Sequence, residues 1–117
     1  MHELSVCRAL VAHVEGIARH HRARRIDKVT LRIGPLSGIE SALLERAYPL
    51  ASAGTVAQGA ELSIEPMAVR VRCSRCGAES DVEPNRLLCG ACGDFRTNLV
   101  SGDEMLLASV ELTTDER

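Results

Sequence analysis

The chain has 117 residues, enough for one domain or for a small domain with a subdomain. Hydrophobic residues at 45% and charged residues at 26% exclude a disordered chain, but the only aromatics are Tyr48 and Phe95, so the core must be built from Leu, Val, Ile and Ala. A net charge of −2 with almost nothing to stack on bases speaks against a nucleic-acid partner, and so light a core calls for help of the kind a structural metal gives.

Met1-His2-Glu3 comes first. The ordinary reading of a residue beside the initiator is a frayed terminus. The residues also allow a second reading. The Met1 amine and the His2 amide close a five-membered chelate ring, and that amide and the imidazole Nδ1 close a six-membered one. The Glu3 amide could add a fourth nitrogen in the same plane, and tetragonal nitrogen sites suit Ni(II) or Cu(II). The residues after this tripeptide carry a charged amphipathic pattern rather than a basic stretch and an apolar run, so no signal peptide is expected. No window approaches the roughly 20 apolar residues of a membrane span, and a cytoplasmic location is expected.

Residues 3 to about 22 have helical periodicity. Leu4, Cys7, Leu10, Val11, Val14, Ile17 and Ala18 form one apolar stripe, on which Cys7 reads as a small buried hydrophobe. Residues 26–33 alternate as a strand, with Val29, Leu31 and Ile33 inward and Lys28, Thr30 and Arg32 outward. Gly34 to Gly38 is a turn, and Ser37 with Glu40 matches a capping box for a second helix running from Ile39 towards Ala53. That helix is expected to carry Leu43, Leu44, Ala47, Leu50 and Ala51 inward, and Pro49 predicts a kink or a stop near Tyr48.

Residues 60–66 form a second strand whose wet face is acidic where that of the first is basic, so charge pairs would help set their register if they are neighbours. The last strand, 105–112, is the most apolar and is expected in the middle of the sheet. The fold class is α+β: two helices on one face of a three-stranded mixed sheet, with an inserted zinc-ribbon-like subdomain built on four cysteines. The expected division is 1–67 plus 103–117 for the α+β domain and 68–102 for the insert.

The insert carries Cys73-Ser74-Arg75-Cys76-Gly77 and Cys89-Gly90-Ala91-Cys92-Gly93. Two Cys-x-x-Cys pairs twelve residues apart are a tetrahedral thiolate site for Zn(II). Gly77 and Gly93 permit the left-handed backbone that turns amide N–H groups towards the sulfurs. Short strands at 69–72 and 80–83 lead the pairs together. A redox dithiol needs a βαβ setting that is missing, and a disulfide is disfavoured in a cytosolic chain. Four thiolates leave no open position, so the zinc is structural and not catalytic. Five arginines against four acids in the insert are too few to draw phosphates.

Taken together, Met1-His2-Glu3-Leu4-Ser5, the Ile33-Gly34-x-Leu36-Ser37-Gly38 turn, the two cysteine pairs and Gly102-x-Glu104-Met105 resemble the HypA/HybF hydrogenase maturation nickel metallochaperones. The resemblance runs through essentially the whole chain. It implies a nickel carrier for [NiFe]-hydrogenase assembly, not an enzyme, with His2 as the essential Ni(II) ligand and Met1 and Glu3 beside it. It also implies Zn(II) on Cys73, Cys76, Cys89 and Cys92. The implied partners are a HypB-type GTPase and the hydrogenase large subunit precursor, with a homodimer left open and neither nucleic acid nor membrane expected. A zinc-ribbon interaction module without transferable metal is the competing reading.

Overall fold

The computed structural model describes residues 3–114. Its elements in order are α1 (Glu3–His20), β1 (Ala23–Ile33), α2 (Ser41–Ser52), β2 (Glu61–Pro66), β3 (Val69–Cys73), β4 (Glu79–Val82), β5 (Thr97–Ser101) and β6 (Met105–Thr114). The expected class holds: two helices, a three-stranded mixed sheet of order β2-β1-β6, and a separate small sheet of order β4-β3-β5 around the cysteines. The residues group into two compact units. One holds Ile39–Ile64 with the described parts of Met1–Leu31 and Leu107–Arg117; the other holds Arg32–Gly38 and Glu65–Leu106.

In the first unit α1 buries Cys7, Leu10, Val11, Val14 and Ala18, the stripe its periodicity dictates. It packs against α2, and the Cys7 thiol donates to the Leu44 carbonyl at 3.4 Å. The sheet order corrects the expectation for the last strand: β1, not β6, is central. Val29, Thr30 and Leu31 are consecutive and all buried, so β1 is covered on both faces, Thr30 included. No residue of β6 is buried, and Leu106 is 42% exposed. Apolar content alone misleads here, because a central strand is marked by burial on both faces. The acidic and basic wet faces of β2 and β1 do meet, with Lys28 Nζ 3.9 Å from Glu61 Oε2.

The second helix departs from expectation in three ways. Ser37 does not cap it. Gly38 takes a φ of +78°, which breaks the path between Ser37 and Glu40, and Glu40 is the N-cap, with no side-chain cap hydrogen bond. The helix does not stop near Tyr48: Pro49 lies inside it and it continues to Ser52. The lost Pro49 donor is offset by packing on either side of it, since Leu44, Tyr48 and Ser52 are all buried. Tyr48 donates its hydroxyl to the Ala57 carbonyl at 3.3 Å. Of the residues predicted inward Leu44 is fully buried, but Leu50 is 69% exposed and Leu43 39%, and Tyr48 and Ser52 complete the buried stripe.

In the second unit two glycine segments cross at backbone distance. Leu36 N–H donates to Gly102 O at 2.8 Å and Gly34 N–H to Glu104 O at 2.9 Å. A Cβ on Gly34 would lie 2.1 Å from Gly102 O, and one on Gly102 would lie 2.9 Å from Val69 Cα. Gly102 has a φ of +119°, and its N–H is held by the Glu104 carboxylate at 2.9 Å. The two glycine-bearing motifs of the sequence are thus the two sides of one close contact.

Candidate metal centres

The four-cysteine site is built from two turns of the same design. Each begins with a buried cysteine, Cys73 or Cys89, and ends with an exposed one, Cys76 or Cys92. Gly77 N–H donates to Cys73 O and Gly93 N–H to Cys89 O, both at 2.9 Å, and these glycines have φ of +78° and +76°. The turns aim amides at the buried sulfurs. Arg75 and Cys76 donate to Cys73 Sγ at 3.3 and 3.4 Å, and Ala91 and Cys92 to Cys89 Sγ, both at 3.3 Å. Strand β3 delivers Cys73 at its end, paired antiparallel with β4 and β5. Strand β5 was not expected from the sequence.

The four ligand atoms all lie within 4.8 Å of one another. Cys73 Sγ is 3.6 Å from Cys92 Sγ, and Cys76 Sγ is 3.6 Å from Cys89 Sγ. A tetrahedron with bonds of about 2.3 Å to zinc has sulfur–sulfur edges of roughly 3.8 Å. Bonded sulfurs would be about 2.05 Å apart, so the separations fit a shared ion and not disulfides. The electrostatics agree. Amides of Cys76 and then Arg75 lower the Cys73 thiol, and those of Cys92 and Ala91 lower Cys89 to about 6. Cys92 is pushed up to about 12: its bond from the Asp94 amide works downwards, but burial and the other three sulfurs outweigh it. Without metal the four sulfurs share protons; a divalent cation would displace them and take thiolates.

Asp94 and the residues around it do not stand out in the sequence. The Asp94 side chain is 6% exposed, and its carboxylate accepts from the Arg96 amide at 2.8 Å, Arg96 Nε at 3.0 Å and Arg96 Nη2 at 2.8 Å. These bonds, the Arg96 guanidinium first, hold its carboxyl well below the usual range. The one hint in the sequence is that the second cysteine turn carries an acid where the first has Ala78.

The residues expected to bind nickel are described in part. Glu3 is the first residue of α1 and is half-buried. Met1 and His2 lie outside the described residues. Cys7, the remaining cysteine, is buried at 0% exposure and far from thiolate character: burial and then the Glu3 charge push its thiol up.

Comparisons with known proteins give one answer. The family model described as hydrogenase/urease nickel incorporation, metallochaperone, hypA, matches residues 1–112. Relatives named hydrogenase maturation factor HypA are 52% identical in Nitrosospira multiformis, over 97% of this chain and 99% of that one, and 42% identical in Aquifex aeolicus, over 98% and 100%. The solution structure of the Ni metallochaperone HypA from Helicobacter pylori superposes with a TM-score of 0.75 at 27% identity, covering 98% of this chain and 100% of that one.

Proposed function

This chain belongs to the HypA family of nickel-incorporation metallochaperones for hydrogenase maturation, and on that premise we propose how it holds its metals and to whom it gives them. Nickel, the cargo, is bound by the Met1 amine, the His2 amide and imidazole, and Glu3. The ion held by Cys73, Cys76, Cys89 and Cys92 is Zn(II), and it stays. The work divides between 1–67 plus 103–117, which carries nickel, and 68–102, which carries zinc. The protein acts by carrying metal rather than by catalysing a reaction. It works in the cytoplasm, with a HypB-type GTPase and the hydrogenase large subunit precursor as partners, and as a homodimer if the carrier must be shared between two chains.

The observation that carries this reading is the four-sulfur cluster in a chain matched by the family model from its first residue. The cluster satisfies one metal with soft, closed ligation, which leaves nickel to a different donor set. Amine and amide nitrogens supply that set, and planar nitrogen donors select nickel while tetrahedral thiolates select zinc. Those nitrogens must lose protons to bind, so nickel affinity falls as pH falls.

The test is nickel titration of the protein with its native terminus, of His2→Ala, and of a version with two residues added before Met1. Both altered proteins should bind nickel far more weakly. If they bind it as tightly as the parent, the terminal site is wrong.

A further inference from the structure

The two cysteine turns repeat each other residue by residue: Cys73 N–H donates to Ala78 O and Cys89 N–H to Asp94 O, both at 2.9 Å. Within this repeat two positions break the match in charge. Arg75 stands where the second turn has Ala91, and Asp94 stands where the first has Ala78. These two departures meet, since Arg75 Nη1 lies 3.5 Å from Asp94 Oδ2. The ion pair joins one cysteine turn to the other. A second tie runs beside it: Ser74 donates to Arg96 O through its N–H at 2.8 Å and its hydroxyl at 2.6 Å. Arg96 is in turn clasped by the nearly buried Asp94 carboxylate.

We infer that Arg75, Asp94 and Arg96 form a latch that keeps the two cysteine turns from parting and so makes the resident zinc slow to leave. The inference rests on the reading that the cluster holds zinc. An ion closed in by four thiolates has no open position for an incoming chelator. One turn must swing away first, and the contacts that resist this are those that bridge the turns rather than those within each. The contacts that cross are the Arg75–Asp94 ion pair and the two Ser74 bonds to Arg96 O, while the charge-assisted bonds from Arg96 to Asp94 hold in place the carboxylate that receives Arg75. Slow release matters to a protein that carries a second, mobile ion: it keeps the thiolates occupied while nickel passes through the chain. Asp94, Arg75 and Arg96 are positioning residues in this scheme and do not ligate the metal.

The experiment is the rate of zinc transfer from the full-length zinc protein to excess EDTA. Variants are Asp94→Asn, Arg75→Met and Arg75→Lys, with Arg72→Met as a control. Arg72 pairs with Glu79 between β3 and β4, so its ion pair lies within the sheet and does not bridge the turns. The latch predicts release about tenfold faster for Asp94→Asn, given the strength of a lost charged hydrogen bond. It predicts a smaller increase for Arg75→Met, recovery towards the parent rate in Arg75→Lys, and no change for Arg72→Met. Equal rates for the parent and Asp94→Asn, each carrying one zinc per chain, would overturn the latch. So would equal acceleration by Arg72→Met, which would mean that any weakening of the module frees the ion. A parent protein that carries no zinc would instead sink the reading of the cluster itself.

Discussion

The two units of this chain are stabilised by different physics. In the first, two amphipathic helices bury Cys7, Leu10, Val14, Leu44 and Tyr48, together with Ile26, Val29 and Leu31 of β1. In the second, the buried apolar side chains shrink to Ile33, Met67, Val69, Val71 and two of the four cysteines. What replaces apolar area there is backbone contact, ion pairs and the cluster of sulfurs. Arg70 pairs with Glu79 at 3.2 Å and Asp81 at 2.9 Å, Arg72 also pairs with Glu79, and Asp94 gathers Arg75 and Arg96. The Arg70 and Arg72 pairs are exposed and contribute little each, whereas the Asp94 side chain is nearly buried. A module so poor in core would depend on the zinc proposed for its four cysteines.

The largest contrast comes from removing the metal. Stripping zinc, or Cys73→Ser, should cost the second unit on the order of 10 kcal/mol, the scale of structural zinc sites. Amide exchange protection should vanish across β3, β4 and β5 and persist in α1 and α2. Loss of protection in the helices as well would show that the first unit does not stand on its own core.

Gly34→Ala strikes the second unit through its backbone crossing. Its Cβ would lie 2.1 Å from a carbonyl oxygen, so the chain must shift, and about 3 kcal/mol of stability should be lost in urea unfolding. Pro49→Ala acts on the first unit in the opposite direction. It restores a donor in the middle of α2 at an exposed position, and should raise stability by roughly 1–3 kcal/mol. An unchanged or lowered midpoint would mean that the helix is built around the proline.

The smallest effect is a pH dependence in the first unit. Hydrogen bonds from Thr113 and then Arg25 hold the Asp27 carboxyl below its ordinary value. A depressed carboxyl stabilises the fold above its unfolded pKa of about 3.9 and loses that contribution as pH falls through the folded value. The stability gap between the parent and Asp27→Asn should therefore be constant near neutrality and close below about pH 4. A gap that persists in acid would assign it to something other than charge.

Much of this was readable in the residues. Helix α1 follows from its stripe, the strands from their alternation, and the cysteine cluster from spacing alone, because two intervening residues fit one tight turn. The rest depended on partners the sequence does not display. Strand β6 is richer in apolar residues than its exposure warrants, and only the neighbours of β1 reveal which strand is central. Tyr48 and Ser52 point inward because α1 and the 55–57 segment meet them, while Leu50 does not. Strand β5 is five residues without clean alternation. Asp94 reads as a loop acid, and its role emerges only when the two cysteine turns are laid on each other.

The central claim is that one chain keeps two metals apart by donor chemistry. X-ray absorption at the zinc and nickel edges, on protein with its native N-terminus loaded with both ions, tests it directly. The account predicts zinc surrounded by four sulfurs at about 2.3 Å, and nickel surrounded by nitrogen and oxygen with no sulfur. Sulfur in the nickel shell, or nitrogen replacing sulfur around zinc when nickel is added, would contradict it.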